Sequence, residues 1–136
     1  MTADELYEHL DLIAEYRKAK ETLDALELNS GLGAQALTGM PHSSGVSDIV
    51  SFFAAEIADT KKRMEALKKE IKESTARIDA WTQTIEETQP RVAFRARYLL
   101  GLEWKQVAPL ISKTATEASV RSMCSQFLLK YEQKQS

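Results

Sequence analysis

The stretch SDIVSFFAAEIADTKKRMEALKKEIKESTARIDAWTQTIEETQ, residues 47–89, decides the fold. With Val50 placed at heptad position a, the a position is apolar in six successive heptads, and the intervening positions are rich in Lys, Arg, Glu and Asp. This period of 3.5 is typical of a coiled coil. It predicts a helix of about 40 residues, roughly 60 Å long. Ser47 and Asp48 are the expected caps at its start, and Pro90 prevents it from continuing past about Gln89.

A shorter helix is predicted over about Ala3 to Leu28, where Thr2 and Glu5 have capping-box spacing. At roughly 39 Å it is too short to cover the long helix, so the rest of the seam must pack on the C-terminal part of the chain or on a second subunit. We expect a homo-oligomer, most simply a dimer. The alternative is an amphipathic helix lying on one globular core. The seam residues assigned to the oligomer interface are Val50, Phe53, Ile57, Met64, Leu67, Ile71, Ile78, Trp81 and Ile85.

Residues 29–47, between these helices, hold four of the five glycines and one proline. Asn29, Ser30 and Gly31 supply a helix stop. The composition therefore predicts a loop of nearly twenty residues, and by itself it is compatible with either an ordered crossover or a flexible linker.

The C-terminal third, residues 90–136, has the layout helix, glycine, short helix, turn, helix. Pro90 suits the first turn of a helix that ends at Gly101, and a short helix follows over LEWKQVAPLI. Thr114 and Glu117 have capping-box spacing before the last helix. We therefore predict an all-α protein with two domains: a coiled-coil-type hairpin over residues 1–89 and a helix-turn-helix unit over residues 90–136.

The net charge of −2 is unevenly distributed along the chain. Residues 1–90 carry a net charge of −7, and residues 91–136 carry +5. A basic segment behind an acidic one indicates two roles on one chain, and the basic segment is the one suited to a phosphate backbone.

Two short motifs resemble known families. RYLLGLEWKQVAPLI is similar to the R-Y-x-x-G-x-S-W-x-E-[IV]-A pattern of sigma factor region-4-like domains; the matching residues are Arg97, Tyr98, Gly101, Trp104, Val107 and Ala108. LTGMPHSSGVSD resembles the M-P-x-x-x-G-x-S-D signature of small phage and prophage proteins, namely RinA/ArpU-type late-transcription regulators and a related uncharacterised family of Gram-positive phages. The matching residues there are Gly39, Met40, Pro41, Gly45, Ser47 and Asp48. The resemblance implies an ordered loop at 29–47, a DNA-binding C-terminal unit and a role in transcription.

If this unit binds DNA, the last helix contacts base edges and nearby cations bind phosphates. The candidate base-reading residues are Thr116, Ser119, Arg121, Ser122, Ser125 and Gln126, and the candidate phosphate contacts are Arg95, Arg97, Lys105 and Lys113. Double-stranded DNA is the expected partner, with RNA polymerase as a second candidate. The alternative is a protein–protein adaptor or assembly protein with a vestigial helix-turn-helix.

Other classes of protein find little support in the composition. Aromatic residues at 7% and few Gly and Pro argue against a β-sandwich or barrel. The apolar runs are too short for a membrane helix, and no secretory signal is recognised, so a cytoplasmic location is expected. Cys124 with His9 and His42 cannot assemble a zinc site. We expect no metal, no cofactor and no enzymatic activity, because the sequence has no nucleophile–base pattern.

Overall fold

The computed structural model describes the backbone of residues 1–37 and 43–135 and the side chains of residues 1–30 and 48–134. Over these residues the chain is all-helical, which confirms the predicted fold class. The elements are α1 (Ala3–Leu37), α2 (Ser43–Gln83), α3 (Thr88–Phe94), a π-helical turn (Arg95–Leu99), α4 (Trp104–Ile111) and α5 (Glu117–Gln135). None of the described helices combines the length and the apolar character needed to cross a membrane.

Along the chain, α1 ends later and α2 begins earlier than the sequence predicted. Asn29, the expected helix stop, lies inside α1, and its side-chain amide donates to the Ala25 carbonyl at 2.8 Å. The good helix formers beyond the glycines, in residues 34–37, favour this extension. Because α2 begins at Ser43, the prediction that Ser47 and Asp48 cap it was wrong. Of the predicted loop 29–47, only residues 38–42 are not part of a helix, and they lie outside the described residues. The prediction that this loop is ordered therefore also lies outside the described residues.

The other end of α2 comes six residues before the predicted position, at Gln83. There the Thr84 hydroxyl donates to the Trp81 carbonyl at 2.6 Å, and the Thr84 N–H reaches the same carbonyl at 3.0 Å. Threonine side chains that bond to a nearby carbonyl offer the backbone an alternative to the helix ladder. Pro90 then lies in the first turn of α3, as expected, and is buried.

The chain forms two compact units. The core unit comprises Met1–Asp11 and Ile71–Ser136, and the hairpin unit comprises Leu12–Glu70. The predicted division at residues 89 and 90 does not coincide with this grouping, because the start of α1 and the end of α2 share a hydrophobic core with α3, α4 and α5. Leu6, for example, is completely buried in that core.

Aromatic rings fill the centre of the core unit. Trp81 meets Phe94 edge-on with ring centroids 4.9 Å apart, and it also contacts Phe127 and Tyr131. Such edge-to-face pairs stabilise a core beyond the area that they bury. Ile78, Trp81 and Ile85 are therefore buried within the chain itself. This corrects their assignment to an interface between chains: in this part of the seam the covering element is the C-terminal part of the same chain.

The π-helical turn ends where the sequence placed a glycine. The Leu100 N–H donates to the Arg95 carbonyl and the Leu102 N–H to the Ala96 carbonyl, both at 3.1 Å. Gly101 follows with φ +72°, in the left-handed region that glycine adopts without steric cost. This geometry directs the chain into α4.

Candidate nucleic-acid interface

The helices α4 and α5 pack against each other through fully buried valines, Val107 and Val120. At the start of α4 the Glu103 N–H donates to the Gln106 side-chain oxygen at 3.0 Å. A polar turn over residues 112–116 then leads into α5. The predicted order of short helix, turn and last helix is therefore present.

The cap of α5 differs from the predicted one. The Thr116 hydroxyl accepts from the Ser119 N–H at 3.1 Å, and the Ser119 hydroxyl accepts from the Thr116 N–H at 2.9 Å. This reciprocal pair replaces the predicted box of Thr114 and Glu117, because Glu117 is already the first residue of the helix. The hydroxyls of Thr116 and Ser119 are thus engaged in capping, and their role in base reading stays a prediction.

Arg95, one of the four predicted phosphate contacts, is paired within the core unit. Its guanidinium donates to an Asp79 carboxylate oxygen at 2.6 Å and to the Thr82 hydroxyl at 2.8 Å. Both partners lie on α2, so the contact holds the π-helical turn against that helix. The assignment of Arg95 to DNA phosphate therefore loses its basis.

Arg97 is also engaged inside the core unit. Its guanidinium donates to the Leu102 carbonyl at 2.9 Å and lies over the Trp104 ring, 5.4 Å from the ring centroid. Its Nε is buried and forms no hydrogen bond with the described residues. Cation–π and carbonyl contacts of this kind fix the entry into α4. These contacts make Arg97 a positioning residue within the core unit, and they favour that role over the predicted phosphate contact.

Three of the predicted cations remain exposed. Lys105 lies on α4, Lys113 in the turn and Arg121 on α5. The described ion pairs involve none of the three. They lie on three successive segments of the helix-turn-helix, where phosphate contacts position such a unit on duplex DNA.

Hydrogen-bonding side chains occupy the outer surface of the first half of α5. Ser122, Ser125 and Gln126 are exposed, and the Gln126 amide donates to the Ser122 hydroxyl at 3.5 Å. Together with Arg121 they offer both donors and acceptors, which is the chemistry needed to read base edges.

A cleft of about 270 Å³ borders this surface. Arg121 and Ser125 line it together with Tyr7 from α1, Trp104 from α4 and Glu132 further along α5. No pattern in the sequence placed Tyr7 near Arg121, because more than 100 residues separate them along the chain. The charges at the cleft come from Arg121 and Glu132, since burial raises the pKa of Tyr98 to about 12 and likewise the pKa of Cys124 to about 12.

A buried histidine joins three elements of the core unit. His9 is 1% exposed; its Nδ1 lies 2.6 Å from the Ser74 hydroxyl and its Nε2 lies 2.9 Å from the Tyr98 carbonyl. A carbonyl only accepts, so Nε2 carries the hydrogen, and in the neutral ring Nδ1 accepts from Ser74. Burial lowers the pKa of His9 below its usual value, and the positive charge of Arg77 lowers it further, against the opposing effect of the Tyr98 bond. His9 is therefore a structural, uncharged link.

No group of three His, Cys, Asp or Glu side chains within the described part of the chain is placed to hold a metal ion. Comparison of the chain with protein-family models, with curated proteins and with solved structures finds no match.

Proposed function

We propose that the chain is a phage- or prophage-type transcriptional regulator. On this proposal α4 and α5 form a helix-turn-helix that binds promoter duplex DNA, with RNA polymerase as a further candidate partner, and the chain acts as a homo-oligomer through the long helix. The resemblance of residues 97–108 to sigma factor region-4-like domains motivates it. The observation that carries it is the exposed surface of α5, where Arg121 and three uncharged hydrogen-bonding side chains are presented together.

The roles within this surface follow from the chemistry of each side chain. Lys105 and Lys113 are point charges suited to phosphate, whereas Arg121 can bind guanine in a bidentate manner and Gln126 can do the same with adenine. The proposed DNA-binding surface does not include Arg95 and Arg97, because their guanidinium groups bind protein atoms.

Binding to phosphate is tested by a salt titration. Fluorescence anisotropy of a labelled duplex with the full chain, from about 50 to 200 mM salt, should show affinity falling with a log–log slope of about −0.9 for each phosphate contacted. Lys105→Ala or Lys113→Ala should weaken binding to every sequence and flatten that slope by about one unit. Lys72→Ala, which removes an exposed lysine of α2, is the matched control and should leave the slope unchanged.

Base reading is tested separately with Arg121→Ala. If Arg121 reads a guanine, the variant should lose about 1–3 kcal/mol at a preferred site and relax the sequence preference there. Unchanged preference would move the reading role to another residue. Absence of binding to any duplex at low salt, where nonspecific attraction is strongest, would refute direct DNA binding.

The adaptor alternative is supported by a different feature of the core unit. Leu100, Leu110 and Leu129 are large apolar side chains that are each more than half exposed. Exposed apolar residues of this kind suit a protein partner better than a phosphate backbone. If duplex DNA is not bound, Leu129→Asp in an affinity-capture experiment with RNA polymerase would test this function, and capture that survives the change would exclude Leu129 from the contact.

A further inference from the structure

The hairpin unit leaves its apolar seam incompletely covered. Of the side chains described there, at residues 12–30 and 48–70, only Leu67 is buried. The remaining apolar seam residues are half-buried or exposed: Ile13, Tyr16, Leu23 and Leu26 on α1, and Val50, Phe53, Ile57 and Met64 on α2. The two helices therefore leave part of the seam accessible, and a four-helix bundle encloses such a seam by packing two pairs of helices together.

A gap along the same seam has measurable volume. A cleft of about 390 Å³ is lined by Ala19, Thr22, Thr60 and Leu67 and by the charged side chains of Glu15, Lys18 and Arg63, from both helices. Near the α1–α2 connection, Ile49 and Phe52 are 41% and 57% exposed. Exposed apolar side chains three residues apart on one helix face are typical of an interaction surface.

The charges of the hairpin unit are separated along its length. The tip half, residues 21–30 and 48–60 near the α1–α2 connection, contains six Asp or Glu and no Lys or Arg. The stem half, residues 12–20 and 61–70, contains eight Lys or Arg and three Glu. The net charges are therefore −6 in the tip half and +5 in the stem half, and the two halves adjoin where Lys61 lies 3.8 Å from Glu27.

We propose that the hairpin unit docks against a second copy of itself in antiparallel orientation, so that the acidic tip half of each copy lies on the basic stem half of the other. The result is a four-helix bundle with a twofold axis, in which the half-buried seams of both hairpins share one core. The proposal extends the self-association included in the proposed function, and it is independent of whether the chain binds DNA.

Charge complementarity selects both the occupant and its direction. A parallel dimer would place six acidic side chains against six and eight basic ones against eight, and like charges disfavour such pairing. The antiparallel arrangement joins opposite signs at both ends. Residues that flank the a and d positions set orientation in helical bundles, and here Glu56 flanks the seam in the tip half and Arg63 and Lys68 flank it in the stem half.

Charge reversal in the full chain tests the orientation. Sedimentation equilibrium without DNA should give a dimer that weakens as salt rises. Glu56→Lys should raise the dimer dissociation constant at least about tenfold, which is about 1.4 kcal/mol, and Arg63→Glu with Lys68→Glu should do the same. All three substitutions on one chain should restore the dimer, because the flanking residues of the tip half and the stem half then carry opposite charges again.

A matched control reverses two lysines of the stem half on the outward side of α2. Lys62→Glu with Lys69→Glu changes the same net charge at heptad positions away from the seam, and it should have a smaller effect than the change at Arg63 and Lys68. Circular dichroism of each variant should show unchanged helix content, which separates loss of the dimer from loss of fold.

Two results would overturn the proposal. A monomer at about 100 µM for the unmodified chain would show that a second copy does not cover the seam. A dimer that Glu56→Lys leaves unchanged, or that the triple variant does not restore, would be evidence against the antiparallel orientation. DNA binding is measured separately in the anisotropy experiment, so failure of one proposal is distinguishable from failure of the other.

Discussion

His9→Leu removes the buried imidazole that joins α1, α2 and the π-helical turn. Leucine is close in volume to histidine, so the change deletes the two hydrogen bonds without opening a large cavity. The Ser74 hydroxyl keeps a partner, since it lies 3.1 Å from the Ile71 carbonyl. The Tyr98 carbonyl loses the donor that the histidine supplied at 2.9 Å.

The expected loss of stability follows from that one orphaned carbonyl. A buried acceptor left without a partner costs about 1–3 kcal/mol, so the free energy of unfolding near neutral pH should fall by about that amount. The variant should also lose a pH dependence. The unfolded chain protonates His9 near its ordinary pKa of about 6.5, whereas the folded chain resists protonation until a lower pH. The unfolded state therefore binds more protons as the pH falls through this window, and the folded protein loses stability there.

Urea unfolding of the full chain at about pH 7.5 and about pH 5.5, followed by circular dichroism, measures both effects. The unmodified protein should be less stable at the lower pH, and His9→Leu should reduce that difference. His42→Leu is the control, because it removes the other histidine of the sequence and should leave the pH dependence in place. If the unmodified protein and His9→Leu lose equal stability between the two pH values, the assignment of His9 as a neutral buried link is refuted.

Three further predictions, two of them with a matched control variant, test the packing and the caps of the core unit by urea unfolding. Phe94→Ala should lower the free energy of unfolding by about 3–5 kcal/mol, because its ring is completely buried, while the exposed Leu129→Ala should change it by less than about 0.5 kcal/mol; similar effects for both would contradict the described core. Gly101→Ala should cost about 1–2 kcal/mol from its positive φ alone, since a Cβ there meets nothing within 4 Å; a loss well above 3 kcal/mol would reveal a steric role. Thr116→Ala should lower the free energy of unfolding by about 1 kcal/mol and Thr114→Ala should hardly change it, because Thr116 caps α5. A larger loss for Thr114→Ala than for Thr116→Ala would support the cap that the sequence predicted, Thr114 with Glu117.

The local features of the candidate site were predictable from the sequence because local physics produces them. Gly101 was expected to end a helix, and it does so with a positive φ that glycine tolerates. The short helix, turn and last helix follow from apolar spacing within about thirty residues, and Arg121, Ser122 and Gln126 face outward as that spacing requires. The residues at which helices begin and end were less predictable. Helix α1 continues past Asn29, because a helix stop signal is only a weak preference.

The sequence by itself determined that the chain is helical and which face of each helix is apolar, because the 3.5-residue period of residues 50–85 is a property of one helix alone. The sequence left open which part of the chain, or which second chain, packs on each apolar face, because periodicity within one helix carries no information about its packing partner. The tertiary structure decided that Ile78, Trp81 and Ile85 pack on α3 to α5 of the same chain. It also decided that Arg95 binds Asp79 and that His9 reaches a carbonyl 89 residues away. These contacts join side chains distant in sequence, and their geometry exists only once the helices have docked.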